Sequence, residues 1–376
     1  MTETYSSTQE TPPIQVGPQP RNRFLFRAKR RLLRYVWLLR AALVLGILAG
    51  LSLIIIIFGL ILGRAGVPNY IVIASDFIFT PRDKIKTQSG QSNILILGKA
   101  GAGYTAPDLT DTIIFTSISE DTASAALISL PRDIWVPAIR AKLNSAYYWG
   151  GQMEEGGGLT LVKSVVEEIV GQPVHYGVVI DFSGFKKIID VIGGIDVTVE
   201  RGFTDEKYPI AGRENDECGG DKEFKCRYET VKFNQGLTRM DGETALKFVR
   251  SRNAAGEEGT DLAREARQQK VISSLKNKLL SPSVLLSPGK LFGVIREIKS
   301  SVETDLDSSA GAIAARRILQ ARDRLGSDVL PEELLTNPPV SARYDNQYVF
   351  LPKAGDWSEV HNWVACLIDV NCPEDK

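Results

Sequence analysis

Arginines in two short segments of this chain have the spacing and setting of phosphate-binding groups. In SLPRD, Pro131 should end an apolar strand and leave Arg132 and Asp133 at its carboxyl end, where open α/β sheets build ligand sites. In FVRSR, Arg250 and Arg252 lie two apart, so in an extended segment they share a face and repel unless an anion lies between them. Guanidinium groups bind phosphate oxygens in forked pairs. Each segment alone is also compatible with solvated charges, in a turn or at a helix exit.

The segment DLAREARQQKVISSLKNKLL predicts a helix with an unusual face. Asp261, Arg264 and Gln268 fall within about 60° of one another, and apolar residues from Ile272 onward continue the same stripe. A core-facing stripe that opens with polar residues indicates groups aimed into a pocket, with Arg267 at its rim. The alternative is that the first helical turns project past the core.

Two carboxylates, Asp108 and Asp111, precede an apolar strand in DLTDT. Beside phosphate-binding arginines they would suit Mg²⁺, which prefers oxygen ligands and often bridges to substrate phosphates. Aspartate is also common in turns, so this segment alone indicates little. Serine-triad and zinc hydrolysis are poorly supported, because the chain has two histidines and no G-x-S-x-G, H-E-x-x-H or Walker A motif.

Short apolar runs alternate with amphipathic stretches from residue 92 onward. NILILG, TIIFTSI, AALISL, YGVVIDF and IDVTVE predict strands, and LTLVKSVVEEIV, FSGFKKIIDVIGG and GETALKFV predict helices. This alternation indicates an α/β fold with helices on both faces of a sheet. The segment 356–369 predicts an amphipathic helix that begins with a capping box formed by Asp356 and Glu359.

The N-terminal region predicts a membrane anchor. The first forty residues carry eight basic residues against two acidic ones, although the whole chain is neutral. A basic head on an acidic body is not the charge distribution of a nucleic-acid binder. The next 23 residues are uncharged and would span about 34 Å as a helix, enough to cross a bilayer core, and the positive-inside rule places the N-terminus in the cytoplasm. We predict a cytoplasmic disordered tail (1–40), a single transmembrane helix in the cell membrane (41–63), a stalk (64–91) and an extracytoplasmic domain.

The four cysteines lack the C-x-x-C spacing of a zinc or redox site. If the domain lies outside the membrane, two local disulfides are the arrangement we expect, Cys218 with Cys226 and Cys366 with Cys372. Other pairings remain open.

Eight segments, taken in order, resemble the motifs of the LytR-CpsA-Psr family. They are NILILG, LTDT, SLPRD, KLNSAYYWGG, IDFSGF, DVIGGIDV, MDGETALKFVRSR and DLAREARQQ. The resemblance implies an α/β/α sandwich with a central mixed sheet and a tunnel for a polyprenyl chain. It places the core at 92–280, with a C-terminal part (281–376) that packs on this core or extends it.

The resemblance also implies roles for single residues. Asp111 would be a magnesium ligand or would hold that ligand set, and Asp261 would orient the arginines. In the mechanism that we infer, Asp133 or Asp111 would act as the base. Asn144 would line the site. The catalytic set would be Asp111, Arg132, Asp133 and Asp261, and the pyrophosphate clamp would be Arg132, Lys142, Arg250, Arg252, Arg264 and Gln268.

Two departures from the family pattern remove one magnesium carboxylate and one arginine from their usual positions. Ala100 stands where the family commonly has aspartate, and Leu109 and Thr110 stand where it commonly has Arg-Ser. Asp108 would then be a substitute carboxylate ligand, or Lys99 would supply part of the charge. The stretch GAGY that follows predicts a flexible loop over the site.

These observations lead us to expect an extracytoplasmic phosphotransferase. It would move a glycopolymer from a polyprenyl-pyrophosphate carrier to a sugar hydroxyl of peptidoglycan, with Mg²⁺. The alternatives are a polyprenyl-pyrophosphate phosphatase, in which water replaces the acceptor, and a non-catalytic protein that binds the lipid carrier or a glycan. A transcriptional regulator is disfavoured, because the cytoplasmic part has about forty residues and no helix-turn-helix pattern.

Overall fold

The computed structural model describes residues 80–369 except Thr105, together with six helical residues nearer the N-terminus. The chain divides into one unit over Met1–Asn69 and another over Tyr70–Lys376. In the described part of the chain, every helix is too short or too polar to cross a bilayer. Most of the predicted tail, membrane helix and stalk lies outside the described residues. The side chains of Arg82, Asp261, Leu262 and Glu265 lie outside them as well.

A mixed sheet of six strands forms the centre of the larger unit. Its strands, in chain order, are β1 (Gln91–Lys99), β2 (Thr110–Ser119), β3 (Ala125–Ser129), β6 (Tyr176–Asp181), β11 (Val302–Thr304) and β12 (Leu325–Val329). The spatial order is β11-β6-β1-β2-β3-β12. Strand β2 is antiparallel to both β1 and β3, whereas β6 is parallel to β1 and β12 is parallel to β3. The expected mixed sheet is confirmed, and the C-terminal part supplies its two edge strands.

The near-continuous apolar character of the central strands follows from burial on both faces of the sheet. In β1, Leu95 and Leu97 pack into one core and Ile94 and Ile96 into another. Nine helices flank the strands in the described residues of this unit. They are α1 (Ala146–Met153), α2 (Gly157–Val170), α3 (Phe182–Ile192), α4 (Gly242–Arg250), α5 (Asp261–Leu279), α6 (Pro282–Leu285), α7 (Pro288–Ser301), α8 (Ser308–Gln320) and α9 (Ser358–Ile368).

Helices cover both faces, as the alternation predicts. The apolar sides of α2 and α9 pack on the face that carries Leu95, through residues such as Val166 and Val364. Helix α8 packs on the opposite face through Ile313 and Ala314. Helix α9 is confirmed with its apolar face, but the predicted capping box is wrong. The helix begins at Ser358, and the Asp356 carboxylate accepts hydrogen bonds from the Ser358 amide (2.9 Å) and hydroxyl (2.5 Å).

A separate core lies beside the sheet. It is built on two antiparallel two-stranded sheets, β7 (Ile195–Val199) with β10 (Gly236–Met240) and β8 (Phe203–Pro209) with β9 (Tyr228–Phe233), and on helices α3, α4, α5 and α7. Three phenylalanines form its centre, with the ring centroid of Phe233 5.1 Å from that of Phe203 and 5.0 Å from that of Phe248. The shorter strands are β4 (Trp135–Val136), β5 (Ala141–Lys142), β7 (Ile195–Val199), β8 (Phe203–Pro209), β9 (Tyr228–Phe233), β10 (Gly236–Met240), β13 (Leu335–Thr336) and β14 (Leu351–Pro352).

One histidine joins two strands of the sheet. The His175 Nδ1 accepts a hydrogen bond from the Asn93 amide at 2.9 Å, and the His175 amide donates to the Asn93 carbonyl at 3.0 Å. Burial lowers the pKa of His175, and the positive charge of Lys86 lowers it further. The folded state therefore favours the neutral ring that can accept this hydrogen bond.

We predict that this histidine makes folding stability pH-dependent. Because its folded pKa lies below its unfolded value of about 6.5, its contribution is present above that pH and is lost as pH falls through the folded pKa. The free energy of unfolding of the wild-type protein should fall more steeply from about pH 7 to about pH 5 than that of His175→Gln. Urea unfolding at several pH values measures this. His361 is present in both proteins, so equal slopes would contradict the prediction.

Candidate functional site

The chain brings several strand ends together at one edge of the sheet. Ser129, the last residue of β3, is paired with Ile114 near the start of β2 and with Val329 at the end of β12. The carboxyl ends of β1 and β6 lie at this same edge, because Lys99 of β1 is paired with Thr110 and with Asp181. The segments that follow β1 and β3 carry the predicted site residues Asp108, Arg132 and Asp133, in agreement with the general position of ligand sites in open α/β sheets.

A cavity of about 500 Å³ opens at this edge. Four cationic side chains line it, and they come from three separate parts of the chain. Its wall also contains apolar side chains, among them Ile113, Leu130, Val329 and Phe350. Of the predicted site residues, the cavity is lined by Asp111, Arg132, Asp133, Lys142, Arg252, Arg264 and Gln268. Charged and apolar surfaces therefore share one hollow.

Two ion pairs organise the sheet side of the cavity. An Arg132 guanidinium nitrogen binds the Asp111 carboxylate, and the Lys142 Nζ lies 2.7 Å from the Asp133 carboxylate. The Nε of Arg132 lies 3.5 Å from Asp133 as well. Pro131 ends β3 and the Arg132 carbonyl accepts the Asn144 amide at 3.1 Å, which fixes the turn that carries these side chains. The two acids hold the two cations in position.

The polar stripe predicted on α5 lies where the sequence places it. Arg264, Gln268 and Ile272 line the cavity in turn, one helical turn apart. Gln269, which follows Gln268 in the helix, donates a hydrogen bond from its Nε2 to the Ser129 Oγ at 2.7 Å. This bond links α5 to the end of β3. Asp261 begins the helix, but its side chain lies outside the described residues.

The backbone that presents Arg252 is held by two buried charges. The Asp205 carboxylate, fully buried in β8, accepts hydrogen bonds from the amides of Arg252 (3.0 Å) and Asn253 (3.2 Å). Arg267 donates to the carbonyls of Phe248 (3.1 Å), Ser251 (2.6 Å) and Glu258 (2.8 Å).

Arg267 is therefore not at the rim of the pocket, as its position on the helix predicts. Its side chain is 3% exposed and its guanidinium lies 4.7 Å from the Phe203 ring. Burial lowers the pKa of Arg267, opposed by its ion pair with Glu258. The side chain is buried because tertiary packing brings β8 and the segment after α4 against this side of α5.

Arg250 faces a different environment from Arg252. As the last residue of α4, it is surrounded by the rings of Tyr104, Phe182 and Tyr208, at 4.7, 5.0 and 5.6 Å from its guanidinium carbon. It donates a hydrogen bond to the Tyr208 hydroxyl at 3.2 Å. Burial raises the pKa of Tyr208 to about 12, opposed by Arg250. Arg250 ends a helix and is absent from the cavity lining, whereas Arg252 lies beyond that helix and lines the cavity.

The two predicted magnesium ligands belong to different ion pairs. Asp108 pairs with Lys99 at 2.9 Å, and Lys99 lies 4.9 Å from the Tyr147 ring. Neither Asp108 nor Lys99 lines the cavity. Asp111 pairs with Arg132 inside it. A single carboxylate fits Mg²⁺ where water and substrate phosphates complete the coordination, so the donor set matches Asp111 as a lone protein ligand better than a pair with Asp108.

The predicted loop GAGY closes against the end of β6. Gly101 adopts a φ of +80°, and a Cβ there would lie 2.8 Å from the Asp181 Cβ, which requires glycine. This tight turn carries Tyr104 against Phe182, with ring centroids 5.2 Å apart. The loop thus reaches the aromatic rings around Arg250.

The cysteines stand apart from the cavity lining. Cys218 and Cys226 form a disulfide in the connection between β8 and β9, as expected. Cys366 is disulfide-bonded, and Cys372 lies outside the described residues. Asp216, Cys218 and Cys226 are the only group of three metal-ligating side chains in the described part of the chain, and the disulfide removes both thiolates from metal binding.

Sequence reasoning missed several residues that shape the site. Asp205, Tyr208 and Glu332 carried no signal, because a single polar residue in a short strand or turn has no period or motif. Glu332 lines the cavity from the turn that follows β12.

The fold and the cavity define an α/β domain with a cationic, partly apolar hollow at the carboxyl edge of its mixed sheet. The LytR_cpsA_psr family model matches residues 76–363, and the chain belongs to this family. The crystal structure of TagV from Bacillus subtilis has the same fold, with a TM-score of 0.54 at 22% identity over 75% of this chain and 99% of that one.

Curated relatives carry transferase names. A polyisoprenyl-teichoic acid–peptidoglycan teichoic acid transferase, TagU of Oceanobacillus iheyensis, is 30% identical over 220 residues, covering 57% of this chain and 59% of the relative. TagV of Bacillus subtilis, with the same transferase description, is 26% identical over 257 residues, 67% of this chain and 58% of the relative. The chain therefore spans less than two thirds of the length of each.

We predict that Asp205→Ala loosens the segment that carries Arg252. Three backbone amides, those of Lys207, Arg252 and Asn253, lose their hydrogen-bond acceptor, so the free energy of unfolding should fall by about 1–3 kcal/mol. Denaturant unfolding followed by tryptophan fluorescence measures this. Glu206→Ala, an exposed neighbour in the same strand, should stay within about 0.5 kcal/mol of wild type. Equal stabilities for the two variants would show that Asp205 does not hold this segment.

Proposed function

We propose that this chain is a phosphotransferase that moves a glycopolymer from a polyprenyl-pyrophosphate carrier to a sugar hydroxyl of peptidoglycan. Family membership and the transferase names of its relatives support this class of reaction. The observation that carries the proposal is the cavity in which four cationic side chains adjoin an apolar wall. A polyprenyl pyrophosphate would complement both features, because its anionic pyrophosphate is joined to an apolar chain.

The cationic side chains would act mainly as the phosphoryl group transfers. When the acceptor oxygen attacks the sugar-proximal phosphorus, negative charge grows on the leaving polyprenyl phosphate. Arg132, Lys142, Arg252 and Arg264 would neutralise that charge, which is stabilisation of the transition state by positioned donors. Gln268 would orient a phosphate oxygen. Mg²⁺ held by Asp111 would add positive charge at the same place when bound.

The location of the domain is part of the same proposal. The apolar run of 23 residues after a basic head supports a membrane anchor, and the disulfide Cys218–Cys226 supports an oxidising compartment outside the cytoplasm. A membrane-anchored domain would meet a lipid-linked donor and the cell wall together.

We predict that Arg252→Ala lowers polymer transfer by about 100- to 1,000-fold, since it removes one donor to the developing charge. The assay follows a labelled lipid-linked polymer onto purified peptidoglycan, with the full-length protein in vesicles. Arg322→Ala is the matched control, because this exposed arginine lies just before β12, at the opposite edge of the sheet. Equal activity in both variants would contradict the clamp.

The same assay separates the remaining alternatives. A phosphatase would release free phosphorylated products from the donor without linkage to the wall, and a binding protein would retain the donor without turnover. Arg250→Ala in the same assay tests the other predicted clamp residue. A loss as large as that of Arg252→Ala would place its guanidinium at the donor in spite of its aromatic surroundings.

A further inference from the structure

Three carboxylates line the cavity in the part of the chain that the structure describes, and they differ in what they bind. Asp111 pairs with Arg132, and Asp133 pairs with Lys142 and Arg132. A carboxylate that already accepts hydrogen bonds from a cation has fewer lone pairs for a substrate proton. Glu332 is the third, and its carboxylate has no ion pair or hydrogen bond among the described residues.

The turn that carries Glu332 is fixed at both ends. Before it, the Leu330 amide donates to the Ser129 carbonyl at 3.0 Å, and Pro331 restricts the backbone. After it, the Lys353 amide donates to the Leu334 carbonyl at 2.9 Å and Leu335 pairs with Pro352. Glu332 itself is exposed, so its carboxylate stands on a fixed backbone at the open side of the cavity.

The reaction proposed above requires a proton acceptor. An attacking sugar hydroxyl must lose its proton, and a positioned base contributes about 100- to 10,000-fold to such a step. Because Asp111 and Asp133 serve the cations, we propose that Glu332 is the general base that takes this proton. This inference rests on the proposed function. Under this proposal Glu332 acts as the base, and Asp111 and Asp133 position Arg132 and Lys142.

The step balances without any further reactant. The acceptor oxygen forms a bond to the sugar-proximal phosphorus while its proton passes to the Glu332 carboxylate. The bond from that phosphorus to the bridging oxygen breaks, and its electron pair leaves with the polyprenyl phosphate. The carboxylic acid then returns its proton to water. Among the described residues, the other charged side chains that line the cavity are the cationic Arg132, Lys142, Arg252 and Arg264 and the acidic Asp111 and Asp133.

Glu332→Gln tests the proposal because glutamine keeps the shape of the side chain and removes the base. The transfer rate at saturating donor should fall about 100-fold or more, with little change in the KM for the lipid-linked donor. The wild-type rate should fall in acid as the carboxylate is protonated, and the variant should lose this dependence. Glu333→Gln is the matched control, since this exposed acid neighbours Glu332 in the same turn and does not line the cavity.

Three outcomes overturn the proposal. If the rates of Glu332→Gln and Glu333→Gln are equal, Glu332 is not the general base. A lower rate explained wholly by a higher KM, with an unchanged pH profile, makes Glu332 a binding group. A lower rate that follows a lower unfolding midpoint, with no recovery in Glu332→Asp, makes it structural.

The proposed function fails separately from the base. If Arg252→Ala loses transfer and Glu332→Gln keeps it, the phosphotransferase proposal stands and the base is wrong. If wild-type protein transfers no polymer, both are wrong.

Discussion

Repulsion between positively charged side chains is the constraint that this cavity has to satisfy before any ligand arrives. Near a protein surface, the interaction energy of two unit charges about 4 Å apart is several kcal/mol, favourable for opposite charges and unfavourable for like charges. Arg132 and Lys142 are held near each other because the Asp133 carboxylate contacts both, and Asp111 binds Arg132 as well. Arg252 is held through its backbone, on a segment fixed by Asp205 and Arg267. The protein thus balances charge around the site and leaves guanidinium groups in its lining.

Helix α5 links the parts of the domain that the site requires. Its start carries Arg264 and Gln268 into the cavity, its buried Val271 packs in the core beside the sheet, and Gln269 is tied to the end of β3. The cationic side chains and the apolar wall of the cavity adjoin because α5 belongs both to the cavity and to the core beside the sheet. Movement of this helix relative to the sheet would separate the cations of α5 from those that follow β3.

The departures from the family pattern have a local structural account. Where a family aspartate is replaced by Ala100, the neighbouring Lys99 pairs with Asp108 and lies over the Tyr147 ring. These two charges neutralise each other outside the cavity lining. Under the proposed function, Asp111 would be the carboxylate available to Mg²⁺, and it also binds Arg132, so side chains would supply more of the positive charge at the pyrophosphate. Arg250, enclosed by aromatic rings, is the predicted clamp residue whose surroundings differ most from the expectation.

The sequence by itself determined five strands (β1, β2, β3, β6 and β7), the main helices and the polar stripe of α5, because these depend on periodicity and on local backbone chemistry such as the break at Pro131. It also indicated that Arg132, Arg252 and Arg264 belong together, through the resemblance of ordered motifs. Only the tertiary structure decided that Arg267 is buried, that Arg250 lies among aromatic rings, and that Glu332 reaches the cavity from a turn two hundred residues along the chain from Arg132. Local periods describe which way a side chain leaves its own helix or strand. Which distant segment it then meets depends on how the layers pack, and no short-range pattern records that.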